Sequence, residues 1–266
     1  MEVASPVPAP APSVKPISLW GALLWFGVPG TLMYAGCYYL VPFLDARGVP
    51  LIVSWTIGML GPTGALLPLS LLLYRRESHR WSWQQLKERF RLQPLRGRDW
   101  LWVLAGVILT LVPGLLAGPV VKAMAAMPLF APPRVIPDIL NPAKELVGIP
   151  SNFYGVALRG QWWMVLYWLG WLFFNILGEE FMWRGYLLPR MEKTWGRHAW
   201  VVNGLLWVFV YHAVMKWQYL QLLPMGAFVP FMAQRLRSSY AGMVVHISAG
   251  TGVLVMIILG ILGLGQ

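Results

Sequence analysis

The sequence has 266 residues, of which 58% are hydrophobic, only 12% are charged and 16 are Trp. That usage excludes an ordinary soluble domain and describes an all-α, polytopic transmembrane helical bundle. The formal charge of +11 is not a nucleic-acid footprint. Eight Lys/Arg are gathered in the connection 75–98, and fifteen of twenty-one fall on the connections that share a side with Lys15. This is the positive-inside pattern for a cytoplasmic N-terminus, so the implied partner is the lipid bilayer.

In chain order, residues 1–16, MEVASPVPAPAPSVKP, lack the basic region of a signal peptide and read as a disordered Pro/Ala-rich tail. Residues 17–266 form a single membrane-embedded domain. About seven spans (six to eight) are expected, near 17–41, 50–74, 100–127, 161–190, 199–217, 219–234 and 239–264, each close to the roughly 20 residues that cross the hydrocarbon. The sixth is the weakest, being short and holding Pro224 and Pro230. Cys37 is the single cysteine, so no intramolecular disulfide is available. Within the basic connection, SWQQLKERF opens with Ser82 and has Gln85 three residues on, a capping-box pattern. Trp83, Leu86 and Phe90 share a face there, which predicts a short helix lying in the cytoplasmic interface. Residues 128–160 are rich in Pro and predict an irregular outer loop packed partly over the bundle.

Inside the spans ionisable residues are few, and each is a functional candidate because burying charge in hydrocarbon is costly. Glu179, Glu180 and Arg184 lie in the fourth span, His212 in the fifth and His246 in the seventh; Lys122 and Lys216 lie near span ends, where snorkelling accounts for them. On an α-helix Glu180 and Arg184 are one turn apart and can pair, while Glu179 points about 100° away. One carboxylate is then held while its neighbour faces something else, the separation of roles that general acid/base chemistry needs. Glu179 and His212 lie roughly 20 Å from the cytoplasmic ends of their helices, and His246 roughly 10 Å. Upright helices would leave these groups at different depths. Gly242, His246 and Gly250 form a small-residue stripe that invites a neighbouring helix, and Gly204, Val208 and His212 give a weaker one.

The string EEFMWRGYLLPRM resembles the first motif, EExxxR, of the CPBP family, the CaaX protease and bacteriocin-processing (Abi) intramembrane proteases. The match runs through Glu179, Glu180, Arg184, Gly185, Tyr186 and Leu187. The family's FxxxH motif maps onto the segment ending at His212, and its HxxxN/D motif onto His246, so the resemblance covers about 161–264. Val208 stands where the family has Phe, and Gly250 where it has Asn or Asp; Asn175, Asn203, Ser248 and Thr251 are the nearby polar residues. The resemblance implies an integral protein of the bacterial inner membrane that acts on a membrane-associated peptide or protein. In it Glu179 would be the general base, Glu180 held by Arg184 would position water, and His212 and His246 would stabilise an oxyanion or bind a metal. The cofactor stays open between none and Zn²⁺ at the Glu/His site, and the substrate between a prenylated CaaX peptide, a leader peptide and a membrane protein. The competing expectation is a noncatalytic immunity, chaperone or assembly subunit of a larger membrane complex. A transporter would also bury charges, but no repeated half with paired broken helices is present.

Overall fold

The computed structural model describes residues 14–77, 81–144 and 148–264. Most of the expected N-terminal tail, up to residue 13, lies outside them. The chain is almost entirely helical. Helix α1 occupies 19–45, with a π-helical turn at Gly36–Leu40, and α2 is Leu51–Arg76. The interfacial helix α3 is Trp83–Arg89, followed by α4 (Asp99–Leu116) and α5 (Gly118–Ala125). Helix α6 (Trp163–Glu179) runs through a π-helix, Glu180–Leu187, into α7 (Leu188–Trp195). Then come α8 (Ala199–Phe209), a 3-10 segment Tyr211–Gln218, α9 (Tyr219–Leu236) and α10 (Ser239–Ile261).

These helices occupy the seven expected positions. By length and composition α2, α4 and α10 are each long and apolar enough to cross a membrane, and the run Trp163–Phe209 with Tyr211–Leu236, bent by 70°, is a fourth candidate. Among the described residues, α1 is the one expected span outside these candidates. The surface supports membrane residence. On α1, Leu24, Val28 and Leu32 at one-turn spacing are 66%, 56% and 55% exposed, whereas Ala22, Phe26 and Met33 are at most 1% exposed. A wide apolar stripe facing outward is unfavourable in water and suits lipid.

Close helix contact depends on glycine at a few points. A Cβ on Gly36 would meet the backbone of Gly58 within 3 Å, so α1 and α2 cross nearly backbone to backbone. A Cβ on Gly178 would lie 2.9 Å from the Thr63 carbonyl oxygen, which seats α6 on α2 beside the acidic pair. Among the described residues, the 128–160 loop holds two 3-10 turns and a hairpin, β1 (Asn152–Phe153) paired antiparallel with β2 (Val156–Ala157). Its Phe153, Tyr154 and Leu158 are buried, and Tyr38 Oη donates to the Ala131 carbonyl at 2.8 Å, so the loop does pack on the bundle.

The interfacial helix forms as its cap predicts: Gln85 N donates to Ser82 Oγ at 3.2 Å. Its face does not behave as one, however. Trp83 is exposed, while Phe90 is fully buried against Gly185, because the chain turns inward after Arg89.

Candidate active site

The π-helix sets the site. In it the backbone bonds run from i to i+5, and Leu188 N accordingly donates to the Trp183 carbonyl. Pro189 has no N–H to offer the carbonyl four residues earlier. That carbonyl, on Gly185, instead accepts from Arg89 Nη1 at 2.8 Å. The helix thus continues past Pro189, as expected, and stops at Gly196, whose φ of 53° ends it.

Two adjacent carboxylates take separate environments. Glu179 faces α8 and the 3-10 segment: Trp207 Nε1 donates to its Oε2 at 2.6 Å and Tyr211 Oη to its Oε1 at 3.2 Å. Tyr211 Oη also lies 3.2 Å from Thr63 Oγ1 on α2. Glu180 faces α10 and its own helix. Its Oε1 is 3.5 Å from Arg184 Nη1 and 3.4 Å from His246 Nδ1, while Oε2 packs against Gly242, where a Cβ would collide with it. Glu179, Glu180 and Arg184 are at most 2% exposed, and His212 and His246 are 7% and 9% exposed. The imidazoles are therefore the more accessible side of the cluster.

Arg184 is unusual. Among the described residues, none of its three guanidinium nitrogens has a hydrogen-bond partner, and neither has Glu180 Oε2. The cation is held by its carboxylate and by the Trp207 ring, 5.3 Å from Cζ. A fully buried guanidinium with unused donors calls for an explanation beyond packing.

His212 arrives differently from expectation. Helix α8 ends at Phe209, and His212 sits in the 3-10 segment with φ −88° and ψ 26°, so it is offered by a break and not by a helical stripe. Gly204 and Val208 instead abut Gly226 on α9. The His212 ring lies 4.1 Å from that of Trp207, whose other neighbour is His246 at 6.2 Å, and it is within electrostatic reach of Glu179, His246 and Arg184. All five expected residues are thereby brought together.

Both imidazoles have an acceptor opposite Nδ1: the Trp207 carbonyl at 3.0 Å for His212 and Glu180 for His246. Each Nδ1 therefore carries a proton, which leaves Nε2 as the free nitrogen. That arrangement supplies two of the donors zinc would need, with suitable outer partners. No group of three or more His, Cys, Asp or Glu among the described residues is placed to hold a metal, and both Glu179 oxygens already accept hydrogen bonds. The residues do not compose a zinc site.

The neighbours of position 250 bear on the missing amide. A Cβ on Gly250 would strike the Leu172 side chain, so Leu172 fills the space that a longer residue would take. Ser248 and Thr251 bond back to the Val245 and Ile247 carbonyls, and Asn203 Nδ2 donates to the Trp183 carbonyl at 3.1 Å. None of these three side chains stands in for the missing amide.

Residues 161–251 match the family model described as type II CAAX prenyl endopeptidase Rce1-like. This segment is Rce1-like. The match bears out the resemblance drawn from the motif and contains Glu179, Glu180, Arg184, His212 and His246, while residues 1–160 lie outside it. No curated protein matches the chain, and no solved structure does. Together with its apolar helices, the Rce1-like segment makes this an integral membrane protein. Sequence reasoning missed Trp207 and Tyr211, the donors to Glu179, although their i, i+4 spacing and polar tips were a usable signal. It also missed Glu77, Arg89 and Arg190, which surround Tyr186.

Proposed function

We propose that the protein is an intramembrane endopeptidase that hydrolyses a peptide bond of a prenylated, CaaX-type substrate. The observation that carries this reading is the convergence, inside the Rce1-like segment, of Glu179 with the Glu180–Arg184–His246 group and His212. Glu179 takes a proton from water, which attacks the scissile carbonyl, and returns the proton to the leaving amine. Oxyanion stabilisation falls to an imidazole Nε2–H, which a ring presents once that nitrogen is protonated. Glu180 accepts the Nδ1–H of His246 and so fixes the orientation of that ring. The unused donors of Arg184 serve a water or a peptide carbonyl entering beside them.

An apolar groove of about 800 Å³ between α1 and α2 supports the lipidated substrate. It is lined by Leu32, Tyr39, Phe43, Ile57 and Pro62, and Pro62 adjoins Thr63, the hydrogen-bond partner of Tyr211. The noncatalytic alternative is favoured by one observation, Leu172 in place of a polar group at position 250.

The deciding experiment compares membranes holding the wild type and Glu179→Gln by peptide mass spectrometry. We expect a set of C-terminal peptides adjoining a prenylated cysteine to disappear in the variant, with its helical circular dichroism unchanged. Identical peptide profiles would leave the noncatalytic reading standing. Loss of peptides that lack a prenylated cysteine would retain the protease and remove the CaaX assignment.

A further inference from the structure

The segment Arg89–Gln93 crosses the cytoplasmic side of the site and is bonded to both helices that carry Glu180 and His246. Toward the acidic helix, Arg89 Nη1 donates to the Gly185 carbonyl at 2.8 Å, and Arg91 reaches Glu192 on α7 with two bonds of 2.6 and 2.5 Å. Toward the histidine helix, Ser239 N donates to the Arg91 carbonyl at 2.9 Å and Ser239 Oγ to the Phe90 carbonyl at 2.7 Å; Ser238 Oγ donates to the Gln93 carbonyl at 2.6 Å. Phe90 meanwhile packs on Gly185, where a Cβ would come within 2.7 Å of its ring.

The connection resolves the depth discrepancy between the groups. His246 is seven residues into α10 and Glu180 five residues before Gly185, each roughly 10 Å or less along a helix. Because the start of α10 and Gly185 are fastened to the same short segment, the two side chains arrive at one level and Glu180 meets His246 at 3.4 Å. Arg91 has a backbone conformation that its side-chain contact helps to explain. It is the left-handed residue that ends α3, with φ 54°, while Leu92 N donates to the Lys87 carbonyl at 2.7 Å. Glycine suits that conformation better, but glycine could not reach Glu192.

We infer that Arg89–Gln93 is a strap that sets the level of α10 against the π-helix, with Arg91 and Arg89 acting as positioning residues for the Glu180–His246 contact. The inference deepens the proposed protease reading and rests on it for its effect on turnover. The contact itself is measurable without turnover.

The test uses the full chain in lipid nanodiscs with ¹⁵N-labelled histidine. Of the four histidines, His246 is assigned by its loss in His246→Gln. In the wild type its Nδ1 resonance is that of a hydrogen-bonded N–H; Arg91→Ala moves it towards free imidazole, whereas Arg91→Lys retains it. On the peptide identified above, Arg91→Ala lowers kcat about tenfold with KM within twofold, and Arg91→Lys recovers most of kcat. If Arg91→Ala does not fold, Glu192→Gln removes the same ion pair from its other partner and is expected to give the same changes. An undisturbed His246 resonance in the folded variant overturns the strap, with or without cleavage. A shifted resonance in a protein whose wild type cleaves nothing supports the strap and sinks the protease.

Discussion

Glu179 and Glu180 share a peptide bond, yet one answers to neutral donors and the other to charge. The Trp207 bond to Glu179, at 2.6 Å, is short for an N–H donor, whereas the Tyr211 hydroxyl stands at 3.2 Å and divides its proton between Glu179 and Thr63. Trp207 is therefore the principal holder of the proposed base. Trp207→Phe strands a buried carboxylate oxygen, an expected loss of about 1.5–3 kcal/mol. Tyr211→Phe removes the longer, shared bond and should cost clearly less. Reversible unfolding of the two variants in detergent compares them directly, and equal losses would contradict this ranking of the donors. The same residues explain the RGYL part of the motif. Arg184 pairs with Glu180 and Gly185 makes room for Phe90; Tyr186 lies between Arg89 and Arg190, whose Cζ atoms are 4.8 and 4.5 Å from its ring, and Leu187 is fully buried.

Helix positions were legible because apolar runs of the right length admit few alternatives in a membrane, and so was the acidic pair, since charge in such a run stands out. The irregular pieces that shape the site were not. A π-helix differs from an α-helix by one residue in its bonding, which periodicity over eight residues does not resolve. The break at His212 carries no Pro or Gly, since YHAVMKW would serve as helix equally well; it follows from tertiary contact with α1. There a Cβ on Gly30 would lie 2.5 Å from the Val210 carbonyl oxygen and 2.9 Å from Tyr211 Cα. The strap hid its buried anchors, Phe90 and Leu92, among charges that read as surface. The α1 contact makes a prediction with its own control. Gly30→Val forces the 3-10 segment away from α1, carrying His212 and the Tyr211 hydroxyl with it, and should reduce turnover more than a hundredfold. Gly27→Ala on the same helix meets only Val210 Cγ1 at 3.7 Å, an ordinary contact. It should leave both turnover and stability within about 0.5 kcal/mol of wild type. Kinetics of the purified variants decide it, and comparable activity in both would mean that the α1 contact does not hold His212 in place.

Across the whole molecule, the site is flanked beyond Tyr186 by charges that belong to distant parts of the chain. Glu77, at the end of α2, accepts two hydrogen bonds from Arg89, at 2.5 and 2.9 Å, and a further one from Arg190 on α7; Arg190 also reaches the Lys15 carbonyl before α1. One carboxylate thus joins α2, the strap and the motif helix. Burial alone would push the Glu77 carboxyl up, but the hydrogen bonds and charges of Arg89 and Arg190 outweigh it and hold the group below the ordinary glutamate value. A carboxylate depressed on folding contributes stability that is fully present above its unfolded pKa, about 4.3, and that is lost as pH falls through the lower folded value. Protonation would also leave the buried Arg89 and the partly buried Arg190 without their counter-charge, which opposes the packed state further. The melting temperature of the wild type in detergent should therefore hold level from pH 7 to about 5 and fall below about 4. Glu77→Gln should melt lower near neutral pH, show a shallower acid fall and approach the wild type at the acid end, because the group whose titration drives that part of the curve is gone. Circular dichroism melts across this range read the difference between the two proteins, in which the other carboxylates cancel. Parallel acid limbs would mean that Glu77 is not the link between α2 and the motif helix.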